Sequence, residues 1–226
     1  MILKIMKKMK KQLLLALLMF LPTMVNAEEV EIDGLWYNLV TKAKEAKVIQ
    51  YKNNQKYSGD IVIPSVVTYQ DVDYMVSAID SNTFIYCNAL TSVSIPYGIT
   101  DIGFQAFSQC SALTSITIPN SVLTIGNYSF SNCTGLNCVI IENGVNNIGD
   151  NAFRNCTSLT TINLPNTVTA ISDWTFYGCS SLTSITIPSS ITYIGSGAFY
   201  GCRGLTSITI PNNVTFISNS AFYSCI

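Results

Sequence analysis

The sequence predicts a repeat solenoid in which each coil contains a short strand followed by a single helical or 3₁₀ turn. Three observations lead to this fold class. Cysteine and phenylalanine recur every 23 residues from Phe84 onward. Each unit opens with an alternating stretch such as LTSITIP at 182–188 and closes with a short motif such as AFYGC at 198–202. Periods of about 20–50 residues are typical of solenoids, whose units share one continuous core.

Residues 1–27 have the composition of a secretory signal peptide. Five lysines precede the apolar run Leu13–Leu21, and small residues follow at Val25–Ala27. This order of charged, apolar and small residues directs export and cleavage. The apolar run is too short to cross a bilayer, which needs about 20 residues. The sequence therefore predicts a secreted or cell-surface protein that meets the membrane only through this segment.

Residues 28–60 do not repeat and are predicted to form a β-rich N-terminal cap. The stretches EIDGLWYNLV and KVIQY are predicted to be two strands, joined by the solvated segment TKAKEA. Trp36 and Tyr37 are available to cover the first coil. Atypical ends of this kind shield the apolar edge of a repeat array.

Alternation of apolar and polar residues predicts that each coil begins with a strand that has one buried face. In LTSITIP, Ile185 and Ile187 point to the core, whereas Ser184 and Thr186 point outward. Proline then ends the strand because it has no N–H for the ladder, and Gly195 permits a sharp bend. A helix N-cap is predicted at the next position, which is occupied by Asn127, Asp150, Asp173, Ser196 and Asn219.

The turn motif is predicted to direct two structural rows of side chains into the core. The first row consists of Phe84, Phe107, Phe130, Phe153, Phe176, Phe199 and Phe222. The second row consists of Cys87, Cys110, Cys133, Cys156, Cys179, Cys202 and Cys225. One coil alone buries too little apolar surface to offset the ordering of its backbone, so each coil depends on its neighbours.

The predicted solenoid covers residues 61–226 in seven coils, the last of which is incomplete. Its first strand is IVIP at 61–64, and that coil carries nine extra residues, predicted to form a capping hairpin through Gln70–Tyr74. The last coil ends at Ile226 without a polar cap. Either a longer chain continues the array, or self-association covers the last coil.

The spacing L-x-x-I-x-I, the proline after the strand and the AF-x-x-C turn closely resemble the BspA-like leucine-rich repeat family of bacterial surface proteins. The resemblance covers residues 61–226. It implies a right-handed leucine-rich repeat superhelix. It also implies an exported or surface-attached protein, because family members are typically of this kind and some bind host matrix proteins or other microbes. The family has no active-site motif, so the resemblance implies a binding protein and not an enzyme.

Charge and residue content exclude several function classes. Without residues 1–27 the chain has 7 basic and 13 acidic residues, a net charge of −6. Nucleic acid is not expected as a partner, because phosphate binding requires clustered Lys and Arg. The absence of histidine removes Ser-His-Asp and Cys-His catalysis and most zinc chemistry. We expect no catalytic residues, no metal and no cofactor.

The row cysteines are predicted to form a column of buried thiols. Equivalent residues of adjacent coils lie about 4.8 Å apart, whereas the Cβ atoms of a disulfide lie about 3.8 Å apart. A zinc site requires four converging ligands, and these lie in a line. Cys138 occupies an outward strand position, where it either replaces a serine without a role or forms a bridge to another molecule.

Two surfaces are candidates for binding an extracellular protein or glycan. The polar strand face consists of Ser92, Ser115, Thr117, Thr161, Asn163, Ser184, Thr186, Ser207 and Thr209. The aromatic edge at the turns consists of Trp174, Tyr177 and Tyr200, with Trp174 as the best single anchor. Each surface has a structural alternative, a Ser/Thr ladder that helps cross-strand pairing or stacked rings that stiffen the coil. The chain is predicted to be a non-enzymatic adhesion or protein-binding module, and the alternative is a structural spacer with no specific ligand.

Overall fold

The computed structural model describes residues 27–52 and 55–225, which form a repeat fold built from strands and turns. The predicted signal peptide therefore lies outside the described residues, except for Ala27, which begins the first strand. Ile226 also lies outside them. No helix long and apolar enough to cross a membrane occurs in the described part of the chain.

Sixteen strands lie within the described residues. They are β1 (Ala27–Ile32), β2 (Leu35–Val40), β3 (Glu45–Ile49), β4 (Gly59–Val62), β5 (Val66–Tyr69), β6 (Val72–Ile79), β7 (Leu90–Ser94), β8 (Asp101–Ile102), β9 (Ser115–Ile118), β10 (Thr124–Ile125), β11 (Cys138–Ile141), β12 (Asn147–Ile148), β13 (Thr161–Ile162), β14 (Ala170–Ile171), β15 (Tyr193–Ile194) and β16 (Phe216–Ile217).

The N-terminal unit is an antiparallel meander of β1, β2 and β3, which joins the repeat array where β3 pairs in parallel with β6. The prediction of a single strand over EIDGLWYNLV is wrong. Asp33 and Gly34 adopt positive φ values of 49° and 81° and turn the chain into a hairpin, as Asp-Gly pairs commonly do. The extra residues of the first coil form the predicted hairpin, in which β5 pairs with β6 through Gln70 and Asp71.

Short parallel strands line the two sides of the core. The strands that begin the coils, which we call the outward strands, pair as β4 with β7 and as β9–β11–β13. The later strands of the coils, which we call the return strands, pair as β6–β8–β10–β12 and as β14–β15–β16. The predicted outward strand is absent at 182–188 and 205–211. The side chains there keep their alternation, since Ile185 and Ile187 are buried while Ser184 is exposed. The hydrophobic pattern therefore sets which way the side chains face, even where the ladder hydrogen bonds do not form.

The predicted helical or 3₁₀ turn is wrong, because the described residues contain neither kind of helix. Consecutive β-turns replace it. The Cys202 N–H donates to the Phe199 carbonyl within the coil (3.1 Å), whereas the Phe199 N–H donates to the Ala221 carbonyl of the next coil (2.7 Å). A helix would use all these donors within one coil. Alternating turns instead leave every second N–H to join neighbouring coils, which is what stacking requires.

The predicted N-cap residues also act between coils. The Asp173 N–H donates to Oδ1 of Asp150 (3.2 Å), and the Ser196 N–H donates to Oδ1 of Asp173 (2.7 Å). The side chains thus accept a backbone N–H from the following coil and not from a helix. Gly195 is required by close packing and not by a bend, because a Cβ there would lie 2.7 Å from the Asp173 backbone nitrogen.

The phenylalanine row forms a continuous stack through the core. Successive rings from Phe84 to Phe222 lie 4.9–5.7 Å apart, with interplanar angles of 4–17°. Tyr57 packs on the first ring at 5.0 Å, and its hydroxyl donates to the Ile49 carbonyl. Tyr37 is buried in the N-terminal unit and Trp36 is half-buried. Tyr57, which the repeat pattern does not reveal, is therefore the residue that ends the phenylalanine stack.

The cysteine row is a hydrogen-bonded column of thiols. The Cys156 thiol donates to the Phe130 carbonyl of the preceding coil (3.1 Å), and the Cys179 thiol donates to that of Phe153 (3.1 Å). All eight cysteines, which lie among the described residues, are free. This agrees with the predicted thiol column and adds a role for sulfur, which fills space and pairs with a buried carbonyl at the same time.

Candidate functional site

The outward strand face is polar and open to solvent. All nine of its predicted residues, Ser92, Ser115, Thr117, Thr161, Asn163, Ser184, Thr186, Ser207 and Thr209, are exposed. The face is not uniform, because two of these side chains already form hydrogen bonds with other residues of the protein. Ser92 donates to Asp60 Oδ1 (2.6 Å), and the Asn163 amide pairs with both backbone groups of Ile141. Hydrogen bonds from Ser92 and then Thr91 lower the pKa of Asp60 below its usual value, so this end of the face carries a negative charge.

The aromatic edge contains a cleft, which we call the aromatic cleft. It has a volume of about 420 Å³, and its lining includes Asn155, Tyr177, Gly178, Tyr200, Gly201 and Arg203. Tyrosine and arginine are the side chains that most often dominate protein interfaces. Two of the predicted residues, Tyr177 and Tyr200, line the cleft, and we call their side chains the tyrosine wall. Gly178, Gly201 and Arg203 were not predicted.

The floor of the aromatic cleft forms because glycine interrupts a column of larger side chains. Asn132 and Asn155 occupy the equivalent position in earlier coils, where Asn155 Nδ2 donates to Asn132 Oδ1 (3.0 Å). Gly178 and Gly201 follow with φ values of 71° and 72°, a conformation that glycine adopts freely and asparagine tolerates. The change from asparagine to glycine was visible in the sequence at 23-residue spacing. It becomes informative only once the position is known to be a stacked column.

The tyrosine wall is a stacked ladder. The Tyr177 and Tyr200 rings lie 5.0 Å apart, and the Tyr200 and Tyr223 rings lie 4.9 Å apart. The Arg154 guanidinium lies 4.4 Å from the Tyr177 ring centroid and covers the first end, whereas Tyr223 is 60% exposed at the other. Stacking holds the rings in place, so their exposed surfaces are already ordered in the free protein.

Trp174 lies beside the aromatic cleft and not in its lining. A Cβ on Gly197 would lie 2.3 Å from two carbons of the Trp174 ring, which shows that the indole covers this glycine of the next coil. The ring also contacts Tyr177 (5.6 Å) and Tyr200 (6.2 Å). Trp174 is half-buried, and its ring contacts help to hold Tyr177 and Tyr200 in place.

The described residues offer little for catalysis or metal binding. No group of three or more Cys, Asp or Glu side chains that could hold a metal occurs among them. Burial raises the pKa of the Cys202 thiol to about 12 and raises those of Cys156 and Cys179 as well. Such thiols stay protonated near neutral pH and are poor nucleophiles. Cys138 is half-buried on the strand face, and its proposed bridge to another molecule stays a prediction.

Comparison with known proteins agrees with the observed coil. The family model for the BspA type leucine rich repeat region matches residues 77–174 and 100–226 and finds six copies. Among curated proteins no match is found. A leucine-rich repeat protein from Bacteroides ovatus is 30% identical over 83% of this chain, with a TM-score of 0.61. The chain spans about half the length of that protein, 55%.

Two further crystal structures show the same fold. The Treponema pallidum leucine-rich repeat protein TpLRR is 26% identical, and the alignment covers 80% of this chain and 92% of that one, with a TM-score of 0.59. A leucine-rich repeat protein from Eubacterium ventriosum is 24% identical, covers 85% of this chain and 53% of that one, and has a TM-score of 0.58.

Proposed function

Because the chain belongs to the family of BspA-type leucine-rich repeat proteins, we propose that it is an exported, non-enzymatic adhesion module that binds a protein outside the cell. The repeat fold supports a protein-binding role, because stacked coils create an extended surface for a partner. Export and surface exposure are supported by the pattern of residues 1–27. The proposal also includes a right-handed superhelix and a capping role for β1–β3.

The aromatic cleft is the observation that carries this proposal. Two glycines, Gly178 and Gly201, leave space here beside ordered tyrosine rings and Arg203. Ordered aromatic rings lose little conformational entropy when a partner covers them. A cleft of this kind accepts one or two side chains of a partner, while the polar strand face and neighbouring turns supply the remaining contact area.

Filling the cleft floor is the sharpest test of this role. Gly201→Asn introduces the residue that earlier coils have at this position, and a Cβ at position 201 meets no atom closer than 3.8 Å. We expect the variant to fold normally, because asparagine tolerates a φ of 72°. We expect it to weaken capture of an extracellular matrix protein at least tenfold, because the new side chain occupies the space of the partner. Tyr200→Ala is expected to weaken capture as well.

Surface plasmon resonance against a panel of immobilised matrix proteins measures this effect. Tyr193→Ala is the matched control, because Tyr193 stacks on Phe216 at 5.6 Å but lies outside the aromatic cleft. It should change affinity less than twofold. Equal capture by wild type and Gly201→Asn would contradict the assigned site. Absence of capture across the panel would favour the structural spacer, for which the stacked tyrosines serve only to stiffen the coils.

A further inference from the structure

One coil departs from the repeat at the end of its outward strand. Glu142 stands where the other coils have proline, namely Pro64, Pro96, Pro119, Pro165, Pro188 and Pro211. The substitution does not disturb stacking, since the Glu142 N–H donates to the Ile118 carbonyl (2.9 Å). A proline could not make this bond. The coil therefore keeps its place in the array and gains a carboxylate that the others lack.

The Glu142 carboxylate reaches across two preceding coils. Its Oε2 accepts a hydrogen bond from the Asn120 backbone N–H (3.0 Å). The Tyr97 hydroxyl donates to the same oxygen at 3.4 Å. These contacts fix the carboxylate beside an aromatic ring that is 64% exposed. Both hydrogen bonds that the carboxylate accepts from the described residues go to Oε2, so Oε1 can accept one from a ligand.

Glu142 and Tyr97 form one side of a groove on the strand face, which we call the strand-face groove. Its volume is about 410 Å³, and the hydroxyls of Ser92, Ser94 and Ser115 lie among its lining. Glu142 is the single charged side chain among the lining residues. The exposed Ile140 lies next to Thr117 of the lining through strand pairing. The groove thus combines an uncompensated negative charge, an open aromatic face and an apolar shoulder.

From this arrangement we infer that the strand-face groove binds a lysine or arginine side chain of the protein partner. A carboxylate pairs with such a cation by charge-assisted hydrogen bonds, and an exposed tyrosine face attracts it by a cation–π contact. The apolar shoulder suits the aliphatic stem that precedes the charge. Asp60 lies on the same face and adds negative potential. This inference rests on the proposed function for the class of partner, and it concerns a site separate from the aromatic cleft.

Binding of fluorescein-labelled hexalysine to the full chain, followed by fluorescence anisotropy at low salt, tests the inference. Glu142→Gln keeps an oxygen for the Asn120 N–H and removes the charge, so the fold is retained while hexalysine affinity falls at least fivefold. Tyr97→Leu should lower affinity about threefold, which is the order expected for an exposed cation–π contact. Asp101→Asn makes the same charge change on the return strand β8 and should alter affinity less than twofold.

Equal losses in Glu142→Gln and Asp101→Asn would overturn the inference, because the attraction would then be diffuse. Displacement of hexalysine by the neutral glycan maltohexaose would overturn it as well and would assign the groove to sugars. The two proposals fail separately. If Glu142→Gln keeps its hexalysine affinity while Gly201→Asn loses matrix-protein capture, only the present inference falls. If the opposite pattern appears, the aromatic cleft loses its assigned role and the strand-face groove keeps its own.

Discussion

Raising the pH above about 9 is expected to lower the free energy of unfolding progressively. Burial raises the pKa of Cys156, Cys179 and Cys202, the last to about 12, above the 9.0 of a free thiol. Above pH 9 these thiols ionise in the unfolded chain while they stay protonated in the folded one. The contribution of these buried thiols to the free energy of unfolding is therefore fully present below pH 9 and is lost as the pH rises. Each thiol that ionises only in the unfolded chain lowers the free energy of unfolding by about 1.4 kcal/mol per pH unit. Three such thiols lower it by about 4 kcal/mol per pH unit.

Urea unfolding followed by circular dichroism at pH 7–11 measures this slope. The double variant Cys156→Ala/Cys179→Ala removes two titrating groups and should reduce the slope by about 3 kcal/mol per pH unit. The slope is informative even though the variant is less stable at every pH. Ile194→Val is the control, because it removes buried volume without removing a titrating group, and it should leave the slope unchanged. An unchanged slope in the double variant would show that the thiol column does not set alkaline stability.

Truncation of a central phenylalanine is expected to destabilise the fold by about 3–5 kcal/mol, the usual cost of a buried Phe→Ala change. Phe153 is fully buried and stacks on both Phe130 (5.3 Å) and Phe176 (5.7 Å). Phe153→Ala therefore removes contacts to two coils at once and leaves a cavity that the tightly packed array cannot easily close.

Phe222→Ala is the matched comparison for this prediction. Among the described residues Phe222 stacks on Phe199 alone (5.3 Å between ring centroids), and it is half-buried. Its loss should therefore cost about 1–2 kcal/mol, because less surface returns to water. Chemical denaturation at neutral pH gives both free energies. Equal decreases in the free energy of unfolding for the two variants would mean that stacking on a second coil adds no stability. That result would contradict the claim that neighbouring coils stabilise one another.

The interior of this fold was predictable from the sequence because a solenoid repeats its contacts with its sequence. Phe107 and Phe130 stack because they occupy the same position in adjacent coils, and the same holds for the cysteines. The non-periodic Tyr57 could not be predicted in this way. Its contact with Phe84 depends on where the N-terminal unit places the chain, which no 23-residue spacing encodes.

The turn was mispredicted because its polar residues suit two structures. Asn, Asp and Ser cap helices, but they also adopt positive φ and bond neighbouring backbone. Asn132 and Asn155 adopt positive φ, and Asp150 accepts an N–H from the following coil. The two structures differ in whether the backbone N–H groups donate within their own coil or to a neighbouring coil. Stacking of the coils decides this, and the local sequence does not reveal it.

The aromatic cleft and the strand-face groove were only partly predictable for a related reason. Tyr177 and Tyr200 were selected from the sequence because they are aromatic and lie outside the core pattern. The missing side chains of Gly178 and Gly201 matter as much, since they create the space beside the rings. Glu142 could have been noticed as the exception to the proline row. Its contact with Tyr97 joins residues 45 positions apart and required the three-dimensional stack.

Stacking of successive 23-residue units in register is the central claim, and paired spin labels test it most directly. In a background of Cys138→Ser and Cys225→Ser, nitroxides are placed on outward strand positions as the pairs Ser92/Ser184 and Ser92/Ser207. Four and five coil steps at about 4.8 Å predict Cα separations of about 19 and 24 Å. Double electron–electron resonance should therefore give two narrow distance distributions whose maxima differ by about 5 Å. Broad distributions, or maxima that do not increase by one strand spacing, would contradict the stacked array.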